Sequence, residues 1–168
     1  MRAVVRWLSV AVVLGPAAWP APARLIENWP YDRLFKEADL VVLAEAQGVA
    51  DADDAAPFDH RPDLFEAQTT TFTVGYTLKA KAAGADLKLL HFRLKKGVQI
   101  ENGPMLVTFR TKPIEVELKD RKIGVGKGSY LLFLKARKDG RYEPVSGQYD
   151  PALSVRELNS PLIKLTDD

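Results

Sequence analysis

The chain has 168 residues, of which 46% are hydrophobic and 27% are charged, and it contains two histidines and no cysteine. This composition is typical of one globular domain and excludes a disordered chain. The lack of cysteine also excludes disulfides, thiolate metal sites and cysteine nucleophiles.

The first residues have the three-part pattern of an export signal. A positive start precedes an apolar run at 7–14, and Ala21 and Ala23 offer the small side chains that a signal peptidase reads. The run is too short for a membrane-spanning helix, which needs about 20 apolar residues. We therefore predict a signal peptide at 1–23 and a single exported domain at 24–168, either periplasmic or extracellular. A buried N-terminal helix or an uncleaved anchor is the alternative.

Charge is unevenly distributed over the predicted domain. Without the two arginines of the signal, 22 basic and 22 acidic residues remain, so the formal net charge is zero. Residues 24–66 carry 11 acids and 4 bases, whereas residues 67–148 carry 7 acids and 16 bases. These regions can attract each other within the fold, or present differently charged faces to partners.

The first predicted elements are a helix, a strand and a long connection. Residues 30–37 predict a short helix, because proline suits its first turn. Three apolar residues fall on one face of it: Tyr31, Leu34 and Phe35. Residues 39–45 predict a buried strand, and residues 48–68 predict a polar connection whose length is typical of functional or mobile loops.

Strict alternation from Thr71 to Leu78 is the clearest periodicity and predicts a half-buried strand. Gly75 in its middle predicts a bulge or a sharp bend. Asp139-Gly140 predicts a hairpin turn. The remaining predicted elements are strands at 87–94, 105–110, 114–119, 130–137 and 141–145, a glycine-rich connection at 124–129, and a last helical turn at 154–158.

The fold class follows from the number and spacing of these strands. Several short strands with turn signals between them predict an all-β domain. Five or six principal strands, a kinking glycine and one long loop favour a small OB-like barrel, the oligonucleotide/oligosaccharide-binding type, with one or two short helices. A seven-stranded β-sandwich is the alternative.

No catalytic, metal or cofactor motif meets its structural requirements. Residues 124–129 contain a Gly-Lys pair, but the glycine required five positions earlier is absent and a strand follows where a phosphate loop needs a helix. The three aspartates of 51–54 lack the glycine and glutamate of a calcium loop. His60 and His91 lack ligand spacing, so we expect structural or surface roles for them.

The basic middle of the chain supplies the binding candidates. Basic residues alternate there with aromatic residues, a combination that binds single-stranded nucleic acid on some small barrels. Because of the alternation, we expect most of the aromatic rings to point into the core and the charges to face solvent. Export favours an anionic glycan, a lipid head group or an acidic protein over nucleic acid, and a solubilising charged face is the simplest alternative. The candidate ligand-binding residues are Arg121, Lys122, Lys127, Arg141 and Tyr142.

Three stretches carry a family resemblance: Ala38–Glu45, Gly128–Leu134 and Asp139–Gln148. With them the chain resembles small exported bacterial proteins of unknown function. Their order is similar to the tissue-inhibitor-of-metalloproteinase/netrin-like branch of the OB barrels. The resemblance implies the barrel. It does not carry over zinc-chelating inhibition, because that family uses an N-terminal cysteine where this chain is expected to begin with Arg24.

The leading functional hypothesis is a non-enzymatic exported binding module without a cofactor. It would present the loop 48–68 and the connection 121–128 to a protein or to an anionic envelope component. One alternative is a hydrolase with serine or carboxylate chemistry, which requires His60 or His91 close to a serine or an acid in a pocket. The other is a structural domain of an envelope assembly.

Overall fold

The computed structural model describes residues 26–59, 61–80, 84–118 and 121–158, with backbone alone for 115–118 and 121–125. The predicted signal peptide and His60 lie outside these ranges. The helix α1 spans Tyr31–Glu37, and 3-10 turns lie at Pro62–Leu64 and Pro151–Ser154. The strands are β1 (Leu40–Ala52), β2 (Phe65–Lys79), β3 (Asp86–Leu94), β4 (Ile114–Leu118), β5 (Arg121–Val125), β6 (Ser129–Ala136), β7 (Tyr142–Pro144) and β8 (Val155–Leu158).

The main sheet closes into a barrel. β1 pairs antiparallel with β2 on one side and with β6 on the other. Around the ring the order is β1-β2-β3-β7-β6, and β3 and β7 pair in parallel at Leu89 and Tyr142. β8 adds an extra strand to the edge of β6 that also carries β7. This closed five-stranded mixed barrel confirms the predicted OB-like fold class in preference to the sandwich.

Alternate residues of the barrel strands fill its interior. The period-two pattern of β1 turns Leu40, Val42 and Ala44 inward, where they meet Phe72 of β2 and Tyr130 of β6. All of these side chains are buried. Burial of such apolar surface contributes about 25 cal/mol per Å2 and is the main source of stability in a chain without disulfides.

The prediction of a strand at 105–110 is wrong, although two of its apolar side chains are buried. Val107 and Phe109 are buried within the barrel, yet the segment joins no sheet. Its backbone is bonded elsewhere: the Met105 amide donates to the Asp150 carboxylate at 3.2 Å, and the Arg110 amide donates to the Tyr130 hydroxyl at 2.8 Å. Side chains and loops therefore replace the strand partner that the alternation suggested.

The predicted connection 48–68 is too long, because β1 and β2 extend into it. β1 continues to Ala52, β2 begins at Phe65, and their paired register includes Ala50 with Thr69. Within the predicted connection, Phe65 and Ala67 alternate with polar residues and are buried, as in a half-buried strand. The remaining connection is 53–64.

The bulge predicted at Gly75 is confirmed, since this residue is skipped between the pairs Leu43–Tyr76 and Ala44–Val74.

Of the remaining predicted elements, some are confirmed and others are wrong. The strands at 87–94, 114–119, 130–137 and 141–145 correspond to β3, β4, β6 and β7. The hairpin turn is confirmed, with Gly140 at φ 82°. The last helical turn is wrong, because Val155–Leu158 pairs with β6. Residues 124 and 125 belong to β5 rather than to a loop. On α1 only Leu34 is buried, while Tyr31 and Phe35 remain exposed.

Two smaller apolar clusters lie outside the barrel. One packs Leu34 of α1 against Val41, Phe133 and Val145. The other covers the outer face of β2 and β3, where Phe58 of the connection 53–64 packs on Phe65 and Phe92. Ile100 and Leu106, from the segment after β3, pack against the same cluster. This second cluster supports the cavity described below.

Candidate functional site

A cavity of about 620 Å3 opens on the outer face of β2 and β3. Its described walls are residues 57–59, 61, 64 and 65, around the end of the connection 53–64, and residues 99–104, after β3; Tyr149 after β7 also lines it. We call this site the β2–β3 cavity. Its volume lies within the usual range of ligand pockets, about 300–1,000 Å3. The outer face of strands 2 and 3 with the loop between strands 1 and 2 is also where OB barrels bind extended ligands.

Aromatic and aliphatic side chains form the floor of the cavity. Phe58 is buried and its ring centroid lies 4.0 Å from that of Phe65. Tyr149 stands at the edge with half of its surface exposed, and its ring meets Phe58 edge-on at 5.9 Å. Leu64 and Ile100 complete the apolar lining. The floor therefore rests on a packed aromatic cluster that holds it rigid.

Both walls contain a residue in left-handed backbone conformation. Among the described residues other than glycine, positive φ occurs at Arg61 (57°) and Asn102 (53°). Asn102 occupies the third position of a turn closed by the bond from the Gly103 amide to the Ile100 carbonyl, where positive φ suits asparagine. Arg61 precedes the 3-10 turn, and such a conformation costs an arginine about 1–3 kcal/mol. Strained backbone of this kind clusters at ligand sites.

Polar side chains surround the apolar floor. They are Asp59, Arg61, Gln99, Glu101 and Asn102. The described rim thus carries two carboxylates, one guanidinium and two amides, so it has both hydrogen-bond donors and acceptors. Among the described rim groups the acids outnumber the bases, which disfavours an anionic ligand.

A charge cluster ties the connection 53–64 to the β6–β7 hairpin. Arg141 donates two hydrogen bonds of 2.7 Å to the Asp54 carboxylate and a third of 2.6 Å to Asp139. The hydrogen bonds from Arg141 hold the pKa of Asp54, and that of Asp139, below the usual range of a carboxyl. Arg137 extends the cluster with bonds to Asp139 and Glu143. We call the pair Asp54–Arg141 the clasp, since it fixes the start of one cavity wall.

The structure places the five predicted binding residues at different positions. Arg121 and Lys122 lie on β5, and their side chains are not described. The Lys127 ammonium donates to the side-chain oxygen of Gln47. Arg141 belongs to the clasp, and Tyr142 packs partly buried against the barrel interior. Arg141 and Tyr142 thus have structural contacts, and none of the three residues with described side chains, Lys127, Arg141 and Tyr142, lines the cavity.

Two of the three aspartates of 51–54 have internal partners. Asp51 accepts a hydrogen bond from Gln68 at 3.3 Å and lies 3.5 Å from the Arg93 guanidinium. Asp54 is held in the clasp. Within the described ranges no three His, Asp or Glu side chains come together as a metal site would require.

His91 lies inside the barrel. Its Nε2 is 2.8 Å from the Thr70 hydroxyl and its ring packs edge-on to Phe109 at 5.0 Å. Burial, with a smaller effect of Arg93, lowers its pKa to about 4. The side chain is therefore neutral near pH 7 and out of reach of solvent, in agreement with the structural role expected for it.

Sequence reasoning missed the cavity itself. One signal in the sequence was Asn102-Gly103, a pair that marks a turn with positive φ. Phe58, a single aromatic residue within an acidic stretch, was the other available signal. Tyr149 gave none, because its proximity to Phe58 spans 91 positions and depends on closure of the barrel.

No protein-family model, no curated protein and no solved structure matches this chain. The class is therefore defined by the fold and the cavity: a small OB-like barrel with a lined cavity on its β2–β3 face. The likeness to the tissue-inhibitor-of-metalloproteinase/netrin-like branch stays a prediction.

None of the helices formed by the described residues has the length and the apolar composition needed to cross a membrane.

Proposed function

We propose that this protein is an exported, non-enzymatic binding module that holds its ligand in the β2–β3 cavity. The observation that carries the proposal is the cavity of about 620 Å3, with an aromatic floor, a polar rim and a left-handed residue in each wall. The N-terminal pattern at 1–23 supports export. An envelope or extracellular component is accordingly the proposed partner.

Two ties support a preformed site. The Lys95 amide donates to the Leu64 carbonyl at 2.9 Å, which extends the β2–β3 pairing to the end of the connection 53–64. The clasp holds the other end of the connection 53–64. A ligand would bind here without paying for the ordering of a loop, which favours affinity.

The cavity is favoured over the basic connection 121–128 as the contact. Lys127, the one cation of that connection with a described side chain, is hydrogen-bonded to Gln47. A cation with an internal partner is less available to a ligand than a concave surface with many convergent groups. The connection stays as the alternative contact, and the experiment below separates the two.

The test is retention of envelope components on immobilised protein, with bound proteins identified by mass spectrometry and bound carbohydrate by composition analysis. A cavity variant combines Tyr149→Ala with Asn102→Gly, because glycine keeps the positive φ of the turn. A second variant reverses Arg121, Lys122 and Lys127 to glutamate. Tyr31→Ala is the matched control: this tyrosine is also exposed, and its ring centroid also lies 5.9 Å from a buried phenylalanine, Phe133.

We expect wild type and Tyr31→Ala to retain the same component and the cavity variant to lose it. Loss from the charge-reversed variant alone would transfer the contact to the basic connection. Equal retention by all four proteins, or retention by none, would contradict the proposed cavity function.

The hydrolase alternative receives little support from the described groups. His91 is enclosed in the barrel and bonded to Thr70. Ser146 and Ser154 bond each other, with their hydroxyl oxygens 2.6 Å apart. His60, the other candidate base, lies outside the described residues.

A further inference from the structure

We propose that the ligand of the β2–β3 cavity is a segment of an uncharged saccharide chain, an inference that rests on the proposed function. The geometry points to this class through three features that occur together: an exposed tyrosine ring at the edge, amide and carboxylate groups around the rim, and an excess of acidic over basic side chains there.

The first feature is the ring of Tyr149. A sugar ring has an apolar face of C–H groups, which packs on an aromatic face as other apolar groups do. Half of the Tyr149 surface is exposed, and Phe58 supports the ring from the cavity side at 5.9 Å. A ring that is held in this way offers contact area at little cost in side-chain entropy.

The second feature is the chemistry of the rim. Each sugar hydroxyl both donates and accepts a hydrogen bond. Gln99 and Asn102 carry amides that also do both, Asp59 and Glu101 accept, and Arg61 donates. The rim can therefore pair with several hydroxyls of differing orientation around one apolar floor.

The third feature is charge. Two carboxylates face one guanidinium on the described rim, so a phosphate, a sulfate or a uronic acid would meet net repulsion. A polycationic ligand would in turn be repelled by the Arg61 guanidinium. An uncharged chain avoids both costs, and its binding should depend little on salt.

The experiment is titration of the 15N-labelled protein with defined probes, followed by NMR shifts of the backbone amides. The neutral probes are oligosaccharides of glucose, mannose, galactose and N-acetylglucosamine, each four to six units long by design. The comparison probes are oligogalacturonate, which is anionic, and an unrelated peptide. Titrations at low and at raised salt measure the electrostatic share of any binding.

We expect at least one neutral saccharide to bind saturably, with shifts concentrated at 57–65 and 99–104 and little change with salt. Tyr149→Ala should weaken this binding by about threefold to tenfold, whereas Tyr149→Phe, which keeps the ring, should stay within about twofold of wild type. The Tyr31→Ala control should bind as wild type does.

Three outcomes would overturn the inference, and the experiments distinguish them. If no neutral saccharide shifts these amides while the cavity variant still loses a retained protein in the preceding experiment, the saccharide class is wrong and the cavity function stands. If oligogalacturonate or the peptide binds and the neutral probes do not, the class is wrong as well. If the cavity variant loses nothing and no saccharide binds, both proposals fail.

Discussion

Arg141 and Asp54 lie 87 positions apart in the sequence and are joined by two hydrogen bonds of 2.7 Å in a bidentate pair. Both side chains are about one-fifth exposed. The pair connects the β6–β7 hairpin to the loop that forms one wall of the β2–β3 cavity. Its contribution is therefore of two kinds, to the stability of the fold and to the position of that wall.

Removal of the clasp should destabilise the protein. In Arg141→Met the carboxylate of Asp54 loses its two charged hydrogen bonds, and we expect the free energy of unfolding to fall by about 1–2 kcal/mol, because part of the pair remains solvated. Urea denaturation measures the change. Arg93→Met is the matched control: Arg93 pairs with Asp51 and Glu66 at more exposed positions, so its loss should cost less than about 1 kcal/mol. Equal losses in the two variants would show that the clasp has no special role.

The clasp should also make stability depend on acid pH. Arg141 lowers the pKa of Asp54 in the folded state, so the unfolded chain binds the proton more readily. The stabilisation is therefore complete above the unfolded pKa of about 3.9 and is lost as pH falls through the lower folded pKa. We expect the stability difference between wild type and Arg141→Met to shrink from pH 6 towards pH 2. A constant difference across this range, measured by urea denaturation at each pH, would contradict the assignment.

The barrel could be predicted because buried strands leave an apolar signal: alternation at Phe72 and Val74 of β2, and a continuous apolar run in β6, where Leu132 packs in the barrel and Phe133 packs outside it. The segment around Phe109 shows the limit of that signal: alternation indicates which side chains are buried, but not whether a strand or a side chain accepts the backbone hydrogen bonds. At the outer end of β2 the buried Phe65 and Ala67 alternate with polar residues, but the aspartates on the facing end of β1 favoured a loop and hid the pairing. The charge pattern of the sequence also indicated that Arg141 could contact a ligand. Its pairing with Asp54 could not be predicted, because the two residues meet only in the folded chain.

His91 should give the protein a second pH dependence, at milder acidity. Burial in the barrel disfavours the charged ring and lowers its pKa from the usual 6.5 to about 4 in the folded state. Stability should be full above pH 6.5 and fall by up to about 3 kcal/mol as pH drops from 6.5 to 4, since each unit corresponds to about 1.4 kcal/mol. The double variant Thr70→Val/His91→Leu removes both partners of the buried hydrogen bond and should flatten the curve in this window. An unchanged curve would show that another group is responsible.

Gly128 should not tolerate a side chain. A methyl group there would lie 2.6 Å from a ring carbon of Tyr130, and the ring cannot easily retreat, because its hydroxyl accepts a hydrogen bond from the Arg110 amide and it packs on Phe109. We expect Gly128→Ala to reduce the free energy of unfolding by about 1–3 kcal/mol, the usual cost of overpacking. The matched control is Gly126→Ala, two residues earlier, where a methyl group would enter open space. That variant should change stability by less than about 0.5 kcal/mol, and a similar loss in both would place the cause in the loop backbone instead of in contact with Tyr130.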